Sequence, residues 1–162
     1  VDRDIIARKL ERLRHHVARI DSKKPFGAGD LGANEDLRDV VVFNLVQAVE
    51  VCVDIGMHIV SESELAPPES MGEVFERLAA LPAFPPGSAD RDAMLRLKKA
   101  VGFRNVAVHA YATLALDAVE HACGEGLADL AQFAAVVGRK YLAAEENGMP
   151  GEGAPGDAEP AA

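Results

Sequence analysis

Ile6, Leu10, Leu13, Val17 and Ile20 recur at alternating steps of four and three. That spacing is one apolar stripe along a helix. It predicts a first helix from about Asp2 to Ser22, closed by Pro25, with a loop over residues 21–33. A second, long helix follows from about Asn34, a good N-cap residue, to Ser63. On a wheel of about 100° per residue, Asp36, Asp39, Gln47, Glu50, Asp54 and His58 share one sector. Leu37, Val40, Val41, Phe43, Leu45, Val51, Ile55 and Ile59 fill the rest. A helix apolar over most of its circumference needs cover on several sides. A second copy of the chain is an economical source of part of it, which predicts a homodimer.

Beyond Ala66-Pro67-Pro68, Ser70 and Glu73 read as a capping box that opens a short third helix ending near Leu81. Pro82, Pro85 and Pro86 break the chain again. Ser88 or Asp90 then caps a fourth helix that carries Met94, Leu95, Leu97, Ala100 and Val101. A fifth covers about Leu114 to Ala122, and Gly124-Glu125-Gly126 separates it from a sixth, about Leu127 to Glu145. There is no repeat and no strand pattern. The expected architecture is all-α: two long antiparallel helices with shorter closing helices over residues 1–146. Residues 147–162 form an acidic tail rich in Gly, Pro and Ala, with no large apolar side chain after Met149, which predicts disorder. Gly27-Ala28-Gly29-Asp30-Leu31-Gly32 is formally GxGxxG. No strand precedes it and no βαβ unit surrounds it, so it reads as a plain flexible connection.

Composition sharpens this picture. Hydrophobic residues make up 49%, but aromatics only 5%, with no Trp. A core rich in Ala, Val and Leu suits helices better than a sandwich or barrel. The formal net charge is -9, which opposes a nucleic-acid surface. Arg91, Arg96, Lys98, Lys99 and Arg104 nevertheless cluster in the fourth helix, so a local basic groove is conceivable there. Cys52 and Cys123 form no CxxC, so reduced thiols, a cytoplasmic setting, and neither disulfide nor zinc are the expectation. The charged start is no signal peptide, and no uncharged run of about 18 residues suggests a membrane span.

The candidate chemistry sits in Arg104-Asn105-Val106-Ala107-Val108-His109-Ala110-Tyr111. A guanidinium grips phosphate with a planar fork of donors, and an imidazole moves protons near neutral pH. In RNA the 2′-hydroxyl is a nucleophile already held near the phosphate. His109 could take its proton or protonate the leaving oxygen, while Arg104 stabilises the growing charge. The products would be a 2′,3′-cyclic phosphate and a 5′-hydroxyl. A step of five puts Arg104 and His109 about 140° apart on a regular helix. Either the helix ends near His109, or two copies of the motif assemble the site. The plainer alternative is a helix-end Arg and His that cap carbonyls and meet solvent. Asn105 has two readings, positioning a phosphate or bonding to the local backbone. Asp54 and His58, at i and i+4, lack an apparent third metal ligand; Asp54 could instead orient an active-site arginine. His15, His16 and His121 read as solvated, and Cys52 and Cys123 as core fillers.

Gly102-Phe103-Arg104-Asn105-Val106-Ala107-Val108-His109-Ala110-Tyr111 resembles the R-x4-H-x-Y signature of the HEPN superfamily, and within it the HepT toxin family. Val49 to Val60 is similar to that family's second-helix pattern, and the likeness spans roughly Asp4 to Ala144. The resemblance implies a dimeric, metal-independent endoribonuclease without a cofactor, the toxin of a type VII toxin–antitoxin pair. It implies Arg104 and His109 as catalytic residues. It also implies a partner, a minimal nucleotidyltransferase of the MntA type that transfers AMP from ATP onto Tyr111 and silences the nuclease. AMP there would cover the groove with a bulky anion. A second function class stays open: a non-catalytic module that partners a nucleotidyltransferase and binds nucleotide or substrate through the same residues.

Overall fold

The structure is a computed structural model that describes residues 1–143. The tail over 147–162, and the expected helix end at Glu145, lie outside the described residues. Helix α1 spans Arg3–Asp21, α2 Ala28–Ala33, α3 Glu35–Ser61, α4 Met71–Ala79 and α5 Ala89–His109. A single 3-10 turn over Tyr111–Thr113 follows, then α6 Leu116–His121, a wide π-type turn Ala122–Gly126 and α7 Leu127–Tyr141. Every regular element among the described residues is helical.

Caps fix where the long helices start. Asp2 accepts from the N–H groups of Asp4 and Ile5 at 3.0 and 3.2 Å. Asn34 accepts from Leu37 N–H at 3.0 Å. Each satisfies donors that a helix start leaves orphaned. Ser70 does the same for Glu73, whose carboxylate reaches back to Glu69 N–H. Ser88, not Asp90, caps α5.

α3 is the central rod. Val41, Leu45, Ala48, Val49, Val51, Cys52, Ile55 and Ile59 are all buried on it, each of the larger ones contributing about 1.5–3 kcal/mol. By length and composition α3 could cross a bilayer, which the sequence had not suggested, but 61% of its apolar window is buried within the bundle. α1 lies antiparallel along it, because Lys9 meets Asp54 and His16 meets Asn44. His16 is therefore not simply solvated. Its Nδ1 bonds to Asn44 Oδ1 at 2.9 Å, and Asn44, buried in the core, also donates to Val40 O. α4 crosses α3 closely at Gly56, where an added Cβ would stand 2.5 Å from Val74 Cγ1. Phe75 of α4 meets Phe133 of α7 edge to face, with centroids 5.9 Å apart.

Two glycine-rich segments differ from expectation. Residues 28–33 are not a loose connection but the short helix α2. Leu31 is fully buried, Asp30 accepts from Gly27 N–H at 2.8 Å, and Glu120 of α6 accepts from Ala28 N–H at 3.0 Å. Tertiary packing here overrides the poor helix propensity of glycine. Gly124 and Gly126 do not separate two helices either. The chain runs from α6 through the π-type turn into α7, with Cys123 and Leu127 anchored in the core.

Candidate active site

α5 ends at His109. Ala110 leaves helical geometry at φ -143° and ψ 44°, and Tyr111 begins the 3-10 turn. Of the two arrangements open from the spacing, this helix ends at the histidine. Arg104 lies one and a half turns earlier and points at α3. Its Nη2 and Nε donate to Glu50 Oε1 at 2.8 and 3.2 Å. Its Nη1 donates to Asn105 Oδ1 at 3.3 Å, so the amide faces the guanidinium. Tyr111 reaches the same helix further toward its start, where its hydroxyl donates to Asp39 Oδ1. The Arg38 guanidinium faces that hydroxyl too.

Asp39 and Glu50 are eleven residues apart, which on an α-helix is about 20° of rotation and about 16 Å of rise. One stripe of α3 therefore holds both ends of the motif. Phe43, expected from the sequence to lie with the apolar remainder of the helix, instead sits between the two carboxylates on that stripe and is 60% exposed. Val106 and Val108 of α5 are also exposed. His109 is exposed, and among the described residues its side chain has no hydrogen-bond or ion-pair partner.

The phenol of Tyr111 ionises above its ordinary range. Burial is the main cause and the bond to Asp39 adds to it, while Arg38 acts the other way. The hydrogen bond to Tyr111, opposed by burial and helped by the negative charges of the phenolate, Glu35 and Asp39, holds Arg38 more firmly protonated than usual. Burial pushes the Cys52 thiol far up and that of Cys123 up to about 12, so neither is a nucleophile.

Other candidates lie elsewhere. Asp54 was expected to support an active-site arginine, but it pairs with Lys9 Nζ at 3.5 Å, and Glu50, one turn earlier, is the carboxylate on Arg104. His58 lies 3.7 Å from Glu62. No third His, Cys, Asp or Glu joins Asp54 and His58 among the described residues. Nor does α5, which carries the basic segment, present an open basic groove. Arg96 is paired with Asp129 at 3.1 Å, Lys98 with Glu76, and Arg104 with Glu50. Arg91 and Lys99 lack an ion-pair partner among the described residues. An apolar cleft of about 500 Å³ opens between α3, α5 and α6, lined by Leu45, Phe103 and Leu114. Arg104, His109 and Tyr111 are not among its lining residues.

The sequence reading missed Glu50, Asp39 and Arg38 as partners of the motif. Both carboxylates lie on the polar sector of the second helix, which was the available signal. The structure thus holds the guanidinium of Arg104 on Glu50 and the phenol of Tyr111 on Asp39, and leaves the imidazole of His109 exposed between them in the chain.

Comparison with known proteins identifies the family and the fold. The sequence pattern of the family described as Ribonuclease HepT-like matches residues 6–137. The mRNA nuclease HepT of Shewanella oneidensis is 35% identical over 135 residues, covering 83% of this chain and 96% of that protein. The tri-AMPylated HEPN toxin of Shewanella oneidensis, solved in complex with the MNT antitoxin, superposes with a TM-score of 0.72 at 34% identity. That match covers 84% of this chain and 98% of that one. A toxin–antitoxin structure with AMP-PNP gives 0.70 at 34% identity, covering 83% and 98%. The chain belongs to the HepT-like ribonuclease family.

Proposed function

We propose that this chain is a metal-independent endoribonuclease, the toxin of a type VII toxin–antitoxin pair, that works as a homodimer and is silenced when a nucleotidyltransferase attaches AMP to Tyr111. The observation that carries the reading is the motif itself: Arg104 seated by Glu50, with His109 free at the end of the same helix and Tyr111 in the turn beyond. Arg104 would hold the scissile phosphate and stabilise its growing charge. His109 would take the 2′ proton or protonate the 5′ oxygen. The leaving ends are then a 2′,3′-cyclic phosphate and a 5′-hydroxyl. Arg104 and His109 diverge on α5, so two copies meeting along α3 and α5 would let one protomer's arginine work with its partner's histidine. Exposed Phe43 and Val106 support such a seam. The names of the relatives, an mRNA nuclease and a tri-AMPylated toxin bound to its antitoxin, support the substrate and the regulation.

The test is RNA cleavage by the purified chain in EDTA. Wild type cuts. His109→Ala loses cleavage by about 10²–10⁴-fold, the range for a positioned proton-transfer group, and Arg104→Ala by about 10²–10³-fold, the range for a charge-stabilising donor. Equal cutting by the variants removes the mechanism, and loss of wild-type cutting in chelator points to a bound metal. The net charge of -9 and the paired cations of α5 favour a second reading, a binding module without turnover. RNA bound but never cut by wild type would select it.

A further inference from the structure

The Tyr111 hydroxyl meets two residues that lie outside the R-x4-H-x-Y motif. Asp39 accepts its hydrogen, and Arg38 faces the same oxygen from the preceding position of α3. Thr113 Oγ1 bonds back to Ala110 O at 3.0 Å and tightens the turn that carries the tyrosine. Glu35 lies 4.0 Å from Arg38. Tyr111 remains 38% exposed, so an incoming group can reach it.

A phenol with an ordinary pKa near 10 is ionised only about one part in a thousand at pH 7, and Tyr111 is shifted further from ionisation. As an acceptor it needs somewhere to send its proton. We propose that the toxin supplies that help itself: Asp39 is the base that takes the Tyr111 proton during adenylylation, and Arg38 steadies the phenolate and the arriving α-phosphate. The proposal rests on the adenylylation reading above and deepens it. The phenol oxygen attacks the α-phosphorus of ATP and an O–P bond forms. The bond from the α-phosphorus to the bridging oxygen breaks, and pyrophosphate leaves with that electron pair. The phenolic proton passes to Asp39 and then to solvent. A carboxylate can accept such a proton late, as bond formation acidifies the hydroxyl; kinases use an aspartate in this role. Arg38 offers donors suited to phosphate oxygens.

Two measurements test it. The chain has two tyrosines and no tryptophan, so in a Tyr141→Phe background phenolate absorbance reports Tyr111 alone. Asp39→Asn should lower its titration midpoint, and an unchanged midpoint would overturn the contact. The second measurement incubates the full chain with ATP, Mg²⁺ and the MNT antitoxin of the Shewanella oneidensis complex, read by intact mass. Wild type gains AMP and Tyr111→Phe does not. Asp39→Asn slows transfer about 100-fold at pH 7 and recovers as pH rises toward the phenol's own ionisation, whereas Asp39→Glu keeps most of the rate. Arg38→Gln slows transfer without that recovery. Asp39→Asn modified at the wild-type rate, with the wild-type pH profile, overturns this proposal alone. Wild type that takes no AMP overturns the adenylylation reading itself, and this step with it.

Discussion

Arg104 gives two of its donors to a single oxygen of Glu50, at 2.8 and 3.2 Å. The guanidinium is mostly covered while Glu50 is 36% exposed. That pairing orients the arginine, and it also occupies donors that a phosphate would need. Glu50→Gln keeps an acceptor but removes the competing charge. Pairs this exposed are worth about 1 kcal/mol or less, so the expected result is a KM for RNA lowered about three- to fivefold, read from initial cleavage rates. A raised KM with a lower kcat would show that orientation outweighs competition.

Phe43 lies on the same stripe of α3, between Asp39 and Glu50, and is the most exposed large apolar side chain among the described residues. If two copies meet there, Phe43→Glu places two charges in the seam. Sedimentation equilibrium should then report monomers with unchanged helix content. A dimer that persists would move the seam to another face.

Gly56→Ala tests the approach of α4 to α3. The new methyl would stand 2.5 Å from Val74 Cγ1, on a short branched side chain that is itself buried. Overpacking of this kind costs about 1–3 kcal/mol. Thermal melts should show a lower Tm, and Val74→Ala in the same chain should restore part of it.

Asp90 ties α5 to α7. Arg139 Nη2 lies 2.7 Å and Lys140 Nζ 3.1 Å from its two oxygens, and these bonds hold its carboxyl below the usual range, Arg139 contributing most. A lowered folded pKa means stability that is fully present above the unfolded value, about 3.9, and fades as pH falls through the folded one. Asp90→Asn should therefore melt earlier than wild type at pH 7, with the gap closing as the buffer is taken below pH 3.9. A gap independent of pH would mean that packing, not charge, is what the substitution removes.

The long helices were readable because apolar period and cap residues agree: Ile6 to Ile20 form one stripe, and Asp2, Asn34 and Ser88 each cap where a helix begins. α2 was not, since only the burial of Leu31 and the reach of Glu120 make a helix of a glycine-rich stretch. The motif residues could be picked out from their chemistry. Their partners could not. Whether Glu50 or Asp54 meets Arg104 depends on the register of α3 against α5, and a helical wheel shows a shared sector without showing depth. The basic segment misled for a related reason, because Asp129, Glu76 and Glu50 lie 22 to 54 residues away in the chain.

The break at Ala110 has a consequence for motion. Arg104 is anchored on one side of it and Tyr111 on the other, and both anchors belong to a stiff rod that will not stretch. A group on the phenol oxygen takes the place of the proton that now bonds Asp39, so that anchor is lost, and Ala110 is the one non-helical residue between α5 and the turn that carries the phenol. Under the proposed mechanism, His109, next to that joint, would shift while Arg104 stayed on Glu50, so that a group on Tyr111 would act by moving the imidazole as well as by its own bulk.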